Sequence, residues 1–360
     1  AGYGTVEDTN GPNPAGVGVW PSNNLDGWRM SAALTYLNPM RHRLNLTVRG
    51  KVLVRKVLIE GEKAVGVEAE SGGEVFKIEA DRVVLSAGAI KSPHLLMLSG
   101  IGPKDQLEEY GIPVIHDLPG VGQNLMNHLS AQVTFKVKDG LSLHGNMDAV
   151  HFGLHYTAEG SSEVNDMLLR TTPMVDERPE RVAGLRTKFL NDGIPADRVA
   201  RLSVTLGLPD GSGYVRLASA DPSVQPTFNY CYLQHPNDKR RVRDGIRKAA
   251  AFLESAAYKD VCDQRLHPTD DILNNDDALD IYIRQTVGTA RHVSGTCKMG
   301  PDSDPMAVVD QYCSVKGVAG LSVVDASIKP KITRSGGSHA TVLMMGERAV
   351  EFIVRATAGV

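Results

Sequence analysis

The sequence lacks the features that would mark a disulfide-built, membrane-spanning or nucleic-acid-binding chain. It has four cysteines in 360 residues, Cys231, Cys262, Cys297 and Cys313, with no CxxC spacing. Neither a disulfide framework nor a cysteine zinc site is expected, and the thiols read as reduced or buried, which fits a cytoplasmic protein. No stretch approaches the roughly 20 apolar residues that span a bilayer. The opening AGYGTVEDTNGPNPAGVG has neither a basic n-region nor an apolar h-region, so it does not read as a signal peptide. Net charge is −3, and no strong field draws the chain to nucleic acid or an anionic membrane. Repeats and low-complexity linkers are also missing. The remainder is 42% hydrophobic and 22% charged, on a length that supports one large domain or two with a sizeable core.

Residues 1–30, rich in Gly, Pro and Asn, show no apolar period and predict irregular loop. SAALTYL (31–37) predicts a helical turn ended by Pro39. From Leu44 the pattern changes to β-rich runs, NLTVRG, KVLVRKVLIEG, KAVGVEAESGG and EVFKIEADRVVLSAG, split by Gly and charged turns. The last run closes on a continuous apolar stretch that stops at Gly88, as buried strands of parallel sheets do. Ser92-Pro93 then predicts a helix with Ser as N-cap and Pro at N1. A strand, a small-residue turn and a helix start suit phosphate or dinucleotide contact, or plain α/β packing. Residues 130–230 alternate β-like runs and polar loops; 236–285 are helical, and 305–330 return to strand. The chain ends in a helix of about 20 residues with one apolar face. This order predicts an α/β domain completed by the C-terminal strand and helix, plus an α+β domain.

Two histidines stand out. His292 lies in RHVSGTCKMG beside a Gly-rich turn, and His339 lies in RSGGSHATV, where a Gly-Gly loop meets the last helix. A loop-end histidine at a helix N-terminus can stay neutral, and neutral imidazole is what a general base needs near pH 7. A hydrogen-bonded structural histidine is the alternative for each. His151 and His155 have HxxxH spacing, but VHFGLHYT alternates like a strand and offers no third ligand, so no metal is expected. DDILNNDDALD lacks the Gly and terminal Glu of a calcium loop and reads as a solvated helix start. KRRVRDGIRK reads as the exposed face of a helix.

Eight strings give the chain a family resemblance. Gly88 to Gly102, GAIKSPHLLMLSGIG, is similar to the second signature of the glucose–methanol–choline (GMC) oxidoreductase family. WRMSAALTYLNP, RLNLTVRG, LPGVGQNLMNH, GYVRLASADPSVQPTFNYCYL, ARHVSGTCKMGP, VVDQYCSVKGVAGLSVVDASIKP and SHATVLMMGERAVEFI resemble further blocks in the family's order, over nearly the whole chain. The resemblance implies an FAD-binding, Rossmann-like α/β domain from residues 1–130, an α+β substrate domain with a helix-flanked sheet from 131–285, and a return into the FAD domain from 286–360. It implies oxidation of a small-molecule alcohol to a carbonyl, as in alcohol oxidases and dehydrogenases. His292 is then the base that takes the hydroxyl proton while hydride passes to FAD, and His339 the group that bonds the same oxygen. For the cofactor it points to Val54 at the adenine, Ala87 and Gly88 at the end of the dinucleotide-domain strand, Asp325 and Ala326 near the pyrophosphate and ribityl chain, and Ala340 and Thr341 at a helix N-terminus facing the flavin.

A dinucleotide-binding domain opens on strand–GxGxxG–helix. Gly2-Tyr-Gly4, Gly16-Val-Gly18, Gly120-Val-Gly122 and Gly211-Ser-Gly213 all fail that pattern. The expectation is therefore an FAD domain incomplete at its N-terminus, with a complementary chain carrying the GxGxxG half. The family's usual Asp before the histidine of the QNL block is Asn127 here, an Arg is lost where GSG precedes the GYV strand, and the span from about 131 to 200 is short. Rival expectations are a lyase of the same fold, in which flavin is structural, a non-catalytic subunit, and a small-molecule binding protein.

Overall fold

The structure is a computed structural model and describes residues 2–12, 14–141, 152–173, 194, 198–334 and 337–358. The Gly/Pro/Asn-rich opening is not all loop: Gly16–Val19 forms strand β1, paired antiparallel with residues 152–155. A sheet edge offers ladder hydrogen bonds to any extended backbone, so a segment without an apolar period can be captured there. Residues 33–40 form short helical turns on the surface. An antiparallel meander follows, β2 (Leu53–Glu60), β3 (Lys63–Ser71) and β4 (Glu74–Glu79). The apolar run ends in β5 (Val83–Leu85), which leads into helix α1 (Gly88–Leu98).

The second half of the molecule is built on β6 (Leu129–Val137), β7 (Phe152–Tyr156), β8 (Met167–Pro173) and β9 (Val199–Leu206). Helix α2 (Pro236–Leu253), β10 (Cys262–His267), helix α3 (Asp276–Thr286) and β11 (Gly288–Thr289) follow. Among the described residues these strands and β1 make a seven-stranded antiparallel sheet, in the order β1–β7–β8–β9–β6–β10, with β11 also on β6. Helix α2 covers it with Val242, Ile246, Ala249 and Leu253, a spacing that keeps one helical face on the sheet. Asn275 caps α3 by accepting from Ala278 N, and Asp276 pairs with Arg243 and Arg247, as a solvated helix start should.

One member of the basic run departs from expectation. Arg241 is 0% exposed, because α2 turns it inward to three carboxylates rather than outward with its neighbours.

The chain then returns to the first half through β12 (Leu321–Val323), parallel to β5 with Val83 opposite Leu321 and Leu85 opposite Val323. A second core surrounds this pair, with Leu96, Met97, Ile101, Leu107 and Val309 fully buried. The last helix is α4 (His339–Ala358).

Helix α1 begins at Gly88, not at the expected Ser92-Pro93 cap, so Pro93 lies inside it. A proline there cannot donate to the carbonyl of Ala89 four residues back. The Thr296 hydroxyl takes that place, donating to Ala89 O at 2.6 Å, and ties α1 to the loop that carries His292. The Gly120-Val-Gly122 pair also has a packing role. A Cβ on Gly120 would lie 2.2 Å from Met306 O, and one on Gly122, at φ +80°, 2.3 Å from Val215 O.

Candidate functional site

The loop after β11 is held on both sides. His292 N donates to Asn127 Oδ1 (2.8 Å), and Asn127 Nδ2 reaches Thr289 Oγ1 (2.6 Å). Gly295, Cys297 and Met299 donate their N–H groups to the carbonyls of Ala326, Ser327 and Ile328. His292 is thus fixed between the start of β6 and the turn after β12.

Its ring partner is His128. The two Nδ1 atoms lie 2.9 Å apart, with the rings edge to face at 81°. His128 is 0% exposed, and its Nε2 faces two carbonyls, Gly207 O at 3.0 Å and Thr333 O at 2.9 Å. Carbonyls only accept, so the network assigns the His128 hydrogen to Nε2. His128 Nδ1 is then an acceptor, His292 Nδ1–H donates to it, and His292 Nε2 is left as a bare lone pair. Burial, with the neighbouring Lys329 and Arg170 charges, pushes His292 down to about 4. Burial and the His292 and Lys329 charges push His128 to about 4 as well. Both rings are neutral near pH 7, which is the state a proton acceptor requires.

His339 is exposed and makes no hydrogen bond to His292 among the described residues. It lines a cleft of about 250 Å³ with Trp20 and His155. His155 is 1% exposed and stacks on Trp20 at 5.9 Å; both of its ring nitrogens lack a partner. Arg170 lies over the other Trp20 contact at 5.6 Å, and its charge also bears on His292. His151, the other half of the HxxxH spacing, lies outside the described residues.

Of the expected cofactor residues, Ala87, Gly88, Asp325 and Ala326 lie just past the ends of the two parallel strands. Ala87 is exposed and Gly88 half-buried, and Gly88 adopts φ +81° with nothing within 4 Å of where a Cβ would be. That leaves open backbone at the start of α1, at the carboxyl ends of parallel strands, where nucleotides bind in such sheets. The residues present fit a dinucleotide on that ground. Asp325 plays a different part from the one expected. Its Oδ2 accepts from Gly88 N (2.9 Å) and from the Ser92 hydroxyl, and its Oδ1 from Ser327 N (2.7 Å). The carboxylate is a buried latch between β12 and α1, and Ala326 follows it in the turn. Ala340 and Thr341 lie in the first turn of α4 beside His339. Val54 is half-buried opposite Ala69 in the separate meander.

Reading the sequence missed His128, although its neighbour Asn127 drew notice; a histidine closing the same LMNH string was the available signal. Lys329 and Arg170 were missed too, because nothing local marks a lysine or arginine as buried. Asp210, His235 and Asp238 bring potential ligand atoms within 4.8 Å of one another. Both carboxylates are already engaged by Arg241, so the cluster is a structural one.

A parallel-strand crevice beside an antiparallel sheet, with a neutral histidine pair where they meet, is the architecture of a two-part flavoprotein. Family models described as GMC oxidoreductase match residues 1–130 and 209–346. The chain is 36% identical to an oxygen-dependent choline dehydrogenase of Photobacterium profundum, over 98% of this chain and 64% of that protein. It is 36% identical to a protein of the same name from Brucella anthropi, over 99% of this chain and 67% of that one. Among solved structures, pyridoxine 4-oxidase from Mesorbium loti superposes with a TM-score of 0.84 at 27% identity, covering 97% of this chain and 66% of the other. This chain therefore belongs to the GMC oxidoreductase family, whose cofactor is FAD. It spans about two thirds of the length of these relatives, and none of the matches supports a separate complementary polypeptide. No described helix is long and apolar enough to cross a membrane.

Proposed function

We propose that this chain carries the proton-handling and substrate-holding part of an FAD-dependent oxidoreductase that converts an alcohol to a carbonyl compound. The observation that carries the reading is the histidine relay. Two backbone carbonyls fix His128, His128 fixes His292, and His292 Nε2 is left bare and neutral. A substrate hydroxyl placed at that lone pair gives up its proton to it, and His339 holds the alcohol oxygen from the cleft side. FAD, when bound, supplies the acceptor for the hydride leaving the carbinol carbon.

Ala87, Gly88, Ala326, Ala340 and Thr341 would hold the cofactor through backbone, with Val54 toward its adenine end. Asp325 acts indirectly, by fixing the start of α1. Residues 1–130 and 286–360 then form the cofactor side and 131–285 the substrate side, with β1 crossing to the latter. The names of the relatives give choline and pyridoxine as substrates of those proteins, and both are hydroxyl compounds. The four free cysteines, two of them buried, support a reducing, cytoplasmic setting.

In the flavin-loaded enzyme, His292→Ala is expected to lower kcat by about 10²–10⁴, the span for losing a general base, with flavin content unchanged. Wild-type turnover in that variant overturns the role. Because the His292 base titrates at about 4, kcat/KM is expected to stay level down to about pH 5 and fall only below it. Anaerobic bleaching of the flavin by an alcohol separates oxidation from a lyase reaction, which leaves the flavin oxidised.

A further inference from the structure

Lys329 is the charge beside the histidine pair that proton transfer leaves unused. It is 4% exposed, and its Nζ has no hydrogen-bond partner. Its backbone is clamped on both sides: Ile328 O accepts from Met299 N, and Thr333 O from His128 Nε2. The segment that carries Lys329 is thus held against the histidine loop and His128, and its charge bears on both rings. Arg170, half-buried, adds a second cation over the Trp20 ring, and its charge also bears on His292. Among the described residues no carboxylate pairs with either one, and the lining of the His339 cleft includes no Asp or Glu.

A buried cation without an anion is costly to the fold, and a ligand that supplies the missing charge recovers that cost on binding. We propose that the substrate of this site is an alcohol that also carries a carboxylate, a hydroxy acid, whose anionic group is received by Lys329. The carboxylate is a handle and takes no part in the bond changes: hydride leaves the carbinol carbon and the hydroxyl proton goes to His292. A cationic alcohol such as choline would meet a like charge there. The inference rests on the proposed alcohol oxidation and adds the substrate class.

The test uses the flavin-loaded enzyme and three primary alcohols of matched length: a hydroxy acid, its uncharged counterpart and choline. The hydroxy acid is expected to have the highest kcat/KM and choline the lowest. Lys329→Met is expected to raise KM for the hydroxy acid about 10- to 100-fold, the effect of losing a hydrogen bond to a charged group, and by a clearly smaller factor for the uncharged alcohol, which makes no such bond. Propionate, an unreactive carboxylate, should quench tryptophan fluorescence in the wild type and bind correspondingly less tightly to Lys329→Met. A preference for choline, or equal propionate affinity in the variant, overturns the proposal. If either of those results appears while His292→Ala still abolishes oxidation of the uncharged alcohol, the alcohol-oxidation reading stands and the substrate class falls.

Discussion

Among the described residues two cations are buried, and their surroundings are opposite. Arg241, 0% exposed on α2, bonds Asp166 at 2.7 Å, Asp238 at 2.6 Å, Asp210 at 2.9 Å and the Leu208 carbonyl at 2.9 Å. Those carboxylates are spoken for in turn: Asp166 takes Ala158 N and the Ser161 hydroxyl, and Asp238 takes the N–H groups of Asp210 and Gly211. Lys329 has none of this. A buried charge paired with carboxylates of the fold is a fastener, whereas one left unpaired points to a partner that arrives from outside. The largest expected effect follows from the first half of that contrast. Arg241→Met strands two buried carboxylates and should reduce the unfolding free energy by about 3–5 kcal/mol, read as a fall in the urea midpoint. An unchanged midpoint would remove the distinction between the two cations.

Much of the architecture was legible because it depends on local pattern. The β-rich runs from Leu53, the apolar strand ending short of Gly88 and the amphipathic α2 follow from periodicity and punctuation, whereas NLTVRG (45–50), expected to join them, forms no strand. The failures share a cause, which is that the deciding partner is far away in sequence. Pro93 suggested a helix start, but Thr296 satisfies the carbonyl it orphans, so the helix runs through it. Arg241 looked like one of six interchangeable basic residues until three carboxylates claimed it. Residues 16–19 carry no amphipathic period, and only the edge offered by β7 makes them a strand. The site shows the same division. His292 was visible as a glycine-flanked histidine, but its tautomer is set by His128, Gly207 and Thr333, from three other segments.

The histidine pair and the Arg241 cluster should also part company in acid. His128 is held at about 4 in the folded chain, below its ordinary value of about 6.5 when unfolded. Between those values the unfolded chain binds a proton that the folded one refuses, so stability falls as pH drops from 6.5 toward 4 and levels off below. The loss from His128 approaches about 3 kcal/mol at the bottom of the window. Urea unfolding at pH 7 and pH 4.5 measures it, and His128→Gln should remove its share of the slope, while His292 and His94, both also held at about 4, keep supplying theirs. An equally steep slope in that variant would place the acid sensitivity elsewhere.

The smallest expected effect is the most discriminating. Replacing Lys329 with methionine keeps the length and apolar stem of the side chain and removes only the unpaired ammonium. If that charge serves a ligand rather than the fold, its loss should not weaken the free protein. Residues held for function at the expense of packing typically return about 0.5–2 kcal/mol when they are neutralised. Lys329→Met is therefore expected to unfold at the same or slightly higher urea concentration than the wild type, in the absence of any carboxylate. With propionate present the order should reverse, because only the wild type gains from the bound anion. A clear loss of stability without ligand would mean that Lys329 is a fastener like Arg241, and the contrast between the two buried cations would disappear.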